Sequence, residues 1–293
     1  MAAITVRPIT DASGLHAVEE LQRDVWGMPD LEVVPSHQLR AVVSAGGVLL
    51  GAFDEHTTLV GFCYGFIGLR DGRLLFYSHM AGVHPGRQNR DIGFLLKRAQ
   101  RQAALERGLD RMVWTYDPLQ SLNASFNLRK LGATASRYYI DYYGEMPDEL
   151  NRGLPSDRLE VDWWLRDPAV ETRLTGDAPP RSWPDAPAAL AGRMQGDVLT
   201  PQTALDYNDP VVRVEVPTAF GEMKIRAPEA ALAWRMASRR VFQHYFALGY
   251  HAVDFVIPRG EATGSYILQR QTGTRPARSQ AGRGEAAGRR ETP

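Results

Sequence analysis

Residues 83–96 read Val83-His84-Pro85-Gly86-Arg87-Gln88-Asn89-Arg90-Asp91-Ile92-Gly93-Phe94-Leu95-Leu96, and this stretch decides how the rest of the chain is read. A strand-like apolar run, Leu74 to Val83, leads into it. A tight basic loop follows, and helical spacing begins at about Asp91. A strand that turns straight into a helix aims unpaired first-turn N–H groups and the positive end of the helix dipole at one point. Such a point suits an anion, a pyrophosphate in particular.

Upstream, Ile4 to Ile9 reads as a short strand. Asp11 and Ser13 offer N-caps for a helix with Leu15, Val18, Leu21 and Val25 on its apolar face. A second short helix from Ser36 turns Leu39, Val42 and Val43 inward and ends at Gly46-Gly47. Val48–Phe53, Leu59–Leu69 and Leu74–Val83 then have strand length and composition. The turn-forming segments Asp54-Glu55-His56-Thr57 and Arg70-Asp71-Gly72-Arg73 link them into an antiparallel meander.

Downstream, the helix of about 91–107 carries Ile92, Leu95, Leu96, Ala99 and Ala103 as its inner stripe, with Lys97, Arg98, Arg101 and Gln102 facing out. Arg111 to Tyr116 reads as a strand. Asp117-Pro118 supplies a cap and a first-turn proline for a helix whose inner face is Leu119, Leu122, Phe126 and Leu131. Tyr138 to Tyr143 reads as an aromatic strand. The order predicts an α/β domain over 1–150, with a mixed, mostly antiparallel central sheet flanked by helices.

A second, smaller α/β lobe is expected over 155–268. Its candidates are strands at 159–165, 211–216 and 252–257, and a helix at 230–248 with Leu232, Met236, Val241 and Phe242 inward. The Pro- and Ala-rich residues 176–188 read as a surface excursion. This lobe is expected either to close over the site as a lid or to mediate homodimerisation. Residues 269–293 are expected to form a disordered basic tail, because residues 270–293 hold six Arg and two Glu and almost no apolar bulk.

Lys+Arg and Asp+Glu both number 34, so no global field draws the chain to nucleic acid or to a membrane surface. Cys63 is the lone cysteine; this excludes an internal disulfide and fits a reducing cytoplasm. Its place in an apolar strand predicts a buried, inert thiol. Seven His and one Cys show no ligand spacing, so no metal is expected. No apolar run approaches the roughly 20 residues of a membrane span.

With the 83–96 loop in place, this order resembles the GNAT superfamily of acyl-CoA-dependent acyltransferases. That family's fingerprint is a strand, then Gln or Arg-x-x-Gly-x-Gly or Ala, then a helix. Here it stands as Gln88-Asn89-Arg90-Asp91-Ile92-Gly93, with Asp91 in the first glycine position. A closer resemblance is to a two-lobed bacterial subgroup of acetyltransferases. It is carried by Ser78-His79-Met80, Trp114 to Gln120, Asn123, Phe126-Asn127, Lys130 to Ala133, Leu154 to Arg158, Trp234-Arg235 and Gly249-Tyr250. Some members of that subgroup look like amino-acid N-acyltransferases, including succinyl transfer.

The resemblance implies an acyltransferase moving an acetyl or succinyl group from acyl-CoA to a primary amine of a small molecule, an amino acid among the candidates, by direct attack in a ternary complex. The alternatives are a non-catalytic acyl-CoA sensor or a protein N-acetyltransferase. It also implies that the 88–93 backbone (Gln88, Asn89, Arg90, Asp91, Ile92, Gly93) holds the pyrophosphate, that Arg87, Arg90, Lys97 and Arg98 can reinforce it, and that Val83 meets the pantetheine arm. Asn123 and Asn127 are candidates to contact the cofactor or substrate. Asp91 is expected to cap the helix. Many family members place a general-acid Tyr where this chain has Leu128, so Tyr138, Tyr139, Tyr142 and Tyr143 become the candidates, Tyr138 first; the alternative is departure of the thiolate with no protein acid, since a thiol's pKa is about 8.5. His79 is the candidate base, since an imidazole titrates in the useful range.

Overall fold

The computed structural model describes residues 4–88, 91–144, 153–179, 181–183 and 185–271. The chain opens with β1 (Thr5–Pro8), α1 (Ala12–Trp26), α2 (Ser36–Ser44), β2 (Val48–Phe53), β3 (Leu59–Arg70) and β4 (Arg73–Val83). Asp11 caps α1 by accepting the Gly14 N–H at 2.8 Å, and the two-residue turn Asp71-Gly72 takes positive φ at both positions, as a tight hairpin requires.

A 3-10 turn at Pro85–Arg87 then leads to α3 (Ile92–Glu106), β5 (Arg111–Tyr116) and α4 (Ser121–Ala124), which runs directly into a π-helical stretch at Ser125–Lys130. The order continues with β6 (Thr134–Tyr139), β7 (Arg158–Trp164), α5 (Pro168–Thr175), β8 (Ala188–Gln195), β9 (Val198–Thr203), β10 (Val211–Pro217), α6 (Phe220–Arg226), α7 (Pro228–Ala247), β11 (Tyr250–Val256) and β12 (Thr263–Arg270).

Among the described residues these strands form one sheet, in the order β1-β2-β3-β4-β5-β7-β6-β11-β12-β10-β8-β9. Its pairings are antiparallel except β4 with β5 and β10 with β8. β7 follows the sequence-drawn lobe boundary yet lies between β5 and β6, and β6 meets β11 at Ala135↔Ala252. One apolar core runs through both halves, from Val60 and Leu96 to Trp234 and Phe255. A smaller core packs α1 and α2 on the other face, with Leu15, Val18, Leu21 and Leu39 against Leu49, Phe62 and Tyr64.

Several helical faces differ from the sequence reading. Lys97, outward by helical spacing, is only 4 % exposed, and the inner stripe of α3 is Ile92, Leu96, Lys97, Gln100 and Ala104. Leu122 was read as inward but is 75 % exposed, because the helix after Asp117 starts only at Ser121 and then widens to π spacing, which rotates its faces. On α7, Leu232 and Met236 face solvent, whereas Ala231, Trp234, Arg235, Ser238, Val241, Phe242 and Tyr245 face in. Arg235 occupies an inward position that an apolar count misses.

Two boundaries also move. The aromatic strand runs 134–139, since Asp141 takes a φ of 45° and turns the chain away before Tyr142 and Tyr143. Gln269 and Arg270, expected in the tail, belong to β12 and pair with Val211 of β10 and Tyr250 of β11; residues 272–293 of that tail lie outside the described residues.

Candidate active site

β4 and β5 run parallel but pair only at Phe76↔Met112 and Tyr77↔Val113. Both strands continue past that point, to Val83 and to Tyr116, and they diverge. The residues beyond it present backbone donors and acceptors with no partner across the gap, which suits an extended, amide-bearing ligand. Gly82 lines this wedge from the α1 side. A Cβ there would lie 2.8 Å from the Trp26 ring, so only glycine lets the helix approach this closely.

At the wide end of the wedge, His84 Nδ1 accepts the Gly86 N–H at 3.1 Å and sets the 3-10 turn. Gln88 is extended and exposed, and α3 begins at Ile92. Asn89 and Arg90 lie outside the described residues. Asp91 has a φ of 59°, the left-handed region that glycine enters without cost, which accounts for the glycine of the family pattern at this position. Its side chain caps nothing and instead pairs with Lys130, so the capping role expected for it is not the one it plays. Ile92 is buried and can offer only its N–H, while Gly93 stands clear, with 3.8 Å between a hypothetical Cβ and Phe126. Arg87 is held by Asp54 at 3.1 Å, which offsets part of its charge at this mouth.

On the α1/α2 face of the wedge, the β3–β4 register shifts between Tyr64↔Met80 and Gly65↔Ser78, which leaves His79 as the bulged residue. Its ring is surrounded by Tyr64, Phe66 and Tyr77 at centroid distances of 5.9, 6.1 and 6.3 Å. Desolvation by these neighbours holds the His79 pKa below its ordinary 6.5, although one edge stays open to solvent. Next to this cluster, the Thr115 and Tyr143 hydroxyls lie 3.2 Å apart, with the Tyr77 hydroxyl close to both.

On the opposite face, Lys97 Nζ sits 3.8 Å from the Trp114 ring and donates to Ser78 Oγ at 2.7 Å. Ser78 and Trp114 are the first residues of β4 and β5 past their last pair, so this ammonium lies under the apex of the wedge and is not at the loop ahead of α3. Burial pulls its pKa down to about 7. Cys63 is fully buried nearby, and desolvation pushes its thiol up to about 12, so it is inert as read from the sequence.

Other sequence candidates fall elsewhere. Tyr138 is stacked on Phe242 and donates to Asp157 at 2.7 Å, so burial and that carboxylate raise its pKa and tie it to the packing of α7. Asp117 accepts the Leu119 N–H and bonds from the two terminal guanidinium nitrogens of Arg235, Nη1 and Nη2, at 2.8 and 2.6 Å. Asn127 is buried as an acceptor for Trp114 Nε1, and Asn123 is exposed on α4. Sequence reasoning missed Thr115, Phe66 and Tyr77, whose only signal was alternation along strands whose partners it could not assign. Among the described residues, no group of three or more His, Cys, Asp or Glu gathers as a metal set, and no helix is long and apolar enough to cross a membrane.

No protein-family model matches the sequence, and no curated protein matches it. Solved structures do. The GCN5-related glucosamine N-acetyltransferase region of a fungal multi-domain GH3 β-N-acetylglucosaminidase is 19 % identical over 39 % of this chain, with a TM-score of 0.31; this chain covers 14 % of that one. Arabidopsis thaliana NAA60 in complex with a bisubstrate analogue is 19 % identical over 55 % of this chain and 99 % of its own, with a TM-score of 0.45. A GNAT family acetyltransferase from Brucella melitensis in complex with acetyl-CoA is 16 % identical over 39 % of this chain and 77 % of its own, with a TM-score of 0.34.

Proposed function

We propose that this protein is an acyl-CoA-dependent N-acyltransferase that moves an acetyl or succinyl group to the primary amine of a small molecule. The observation that carries this reading is the early parting of β4 and β5 directly ahead of the loop and N-terminus of α3. The wedge offers edge amides to a pantetheine arm, and the helix end offers N–H groups to a pyrophosphate. Val83, Gln88, Asp91 and the N–H groups of Ile92 and Gly93 are the described parts of the proposed cradle; Asn89 and Arg90 complete it in sequence, and Asn123 of α4 is a further proposed contact. His79, neutral at pH 7, is the base that takes the amine's proton while the wedge holds the thioester carbonyl.

The test is titration calorimetry with coenzyme A, followed by thiol release from acetyl- and succinyl-CoA across a panel of amines. Absence of binding heat sinks the reading. Tight binding with no thiol release points to an acyl-CoA sensor, and release only with peptide acceptors points to a protein N-acyltransferase.

A further inference from the structure

We propose that a cavity at the junction of the two halves is a second ligand site, separate from the wedge, for a small organic anion bearing a flat aromatic ring. The cavity measures about 780 Å³, within the usual size of small-molecule sites. Its floor is the sheet itself, with Ser136 of β6, Asp162 of β7, Val253 of β11 and Gln269 of β12. Trp164, at the end of β7, also lines it, as do Arg181 and Trp183 of the Pro- and Ala-rich excursion. None of these residues belongs to the wedge between β4 and β5.

Charge calls for the anion. Asp254 is fully buried, accepts Trp183 Nε1–H at 2.7 Å and pairs with Arg129 at 3.4 Å. Arg181 donates to the Val253 carbonyl at 2.6 Å. Arg173 donates to the Arg129 carbonyl and runs against Gly132, a residue of the cavity wall, where a Cβ would lie 2.5 Å from its Cδ. Among the described residues, Asp254 is the one carboxylate that acts on Arg173 and Arg181, so three guanidiniums share a single negative charge. Burial, then repulsion from the neighbouring arginines, pushes the pKa of Arg173 and of Arg181 below the ordinary 12.5. The other carboxylates at the cavity are engaged elsewhere. Arg111 takes both oxygens of Asp162, at 2.8 and 2.9 Å, and Asp167 caps α5 through the Ala169 N–H at 3.0 Å. Half-buried cations in excess of their counterions cost free energy, and a bound anion returns it.

The two indoles call for the ring. Trp164 and Trp183 give the cavity flat apolar surface against which an aromatic ring packs by stacking or edge contact. Ser136, Gln269 and Gln271 add neutral donors and acceptors that can meet ring heteroatoms or hydroxyls. An aliphatic anion would leave the indoles unused, and a neutral ring would leave Arg181 unanswered. A nucleoside phosphate and an aromatic carboxylate both carry the two features, and the experiment separates them.

The full-length protein is titrated by calorimetry with two panels, nucleoside monophosphates and aromatic carboxylates such as benzoate. The free nucleoside, benzyl alcohol, inorganic phosphate and acetate serve as ring-only and anion-only controls. Members of one panel should bind, and every control should bind at least about tenfold more weakly. Arg181→Gln should weaken that binding by about tenfold or more, and Arg181→Lys, which keeps the charge, should restore most of it. Trp164→Leu, which leaves the arginines in place, should weaken it by about threefold to tenfold. No binding in either panel, controls that bind as well as the full probes, or affinity unchanged by Arg181→Gln overturns the site. Binding that coenzyme A abolishes and Arg181→Gln leaves intact belongs to the wedge, and overturns it as well.

Discussion

Two titrating residues face each other across the sheet at the apex of the wedge, and their environments push both toward neutrality near pH 7. For Lys97 the cause is burial against Trp114, and its pKa falls from the ordinary 10.5 to about 7. Between those two values the unfolded chain binds more protons than the folded one, so stability rises with pH over about 7 to 10.5 and is lost below. Lys97→Met keeps the stem volume and removes the titration. Its denaturant midpoint should stay flat across that window while the wild-type midpoint climbs, as urea unfolding at several pH values will read. For His79, desolvation disfavours the imidazolium, so the base form persists below the ordinary 6.5. The acid limb of kcat/KM should therefore fall below pH 6.5. His79→Gln should erase that limb and lower kcat by roughly 10²- to 10⁴-fold, the usual worth of a positioned base.

Among the elements, the α3 N-terminus carries the sharpest local conflict, a non-glycine residue with a φ of 59° and a carboxylate beside the proposed anion site. Asp tolerates the left-handed region better than most residues, and its pairing with Lys130 turns the charge toward a cation. Asp91→Gly should relieve the backbone and remove the repulsion. A charge at a helix end is worth about 0.3–1 kcal/mol, so coenzyme A should bind about twofold to fivefold tighter by calorimetry. The meander, α3 and β5 were legible in the sequence because each segment has its own period and its own stop signal. The candidate site could be drawn from the sequence only where it is local, at the loop and at His79. Thr115 and Tyr143 are 28 residues apart and meet because β7, which comes later in the chain, enters between β5 and β6; no local pattern encodes that insertion. The inward Arg235 and Lys97 escaped for a related reason, since helical spacing sorts residues by polarity and both are polar groups buried with specific partners.

At the scale of the whole molecule, the two halves share one sheet, one core and a row of polar contacts from α7 and β12 to the turns after β5 and β6. Tyr266 donates to the Pro118 carbonyl at 2.6 Å, Arg239 holds Asp157, and Arg235, 2 % exposed, holds Asp117. With the core undivided, calorimetry should show one cooperative unfolding transition and not two. The Arg235–Asp117 pair sets up a further test of what joins the halves. Two buried charges lose hydration that their attraction only partly restores, so the pair as a whole adds little net stability, whereas either charge left alone is costly. Asp117→Leu or Arg235→Met alone should each cost about 3–5 kcal/mol, because the surviving charge is stranded in the core. The double variant should recover most of that loss and stay within about 1–3 kcal/mol of wild type, the remainder being the Leu119 N–H that loses its acceptor. Urea unfolding of the four proteins gives the coupling directly. A double variant as unstable as the sum of the singles would mean that the charges act independently, and that apolar packing alone holds α7 against the turn after β5.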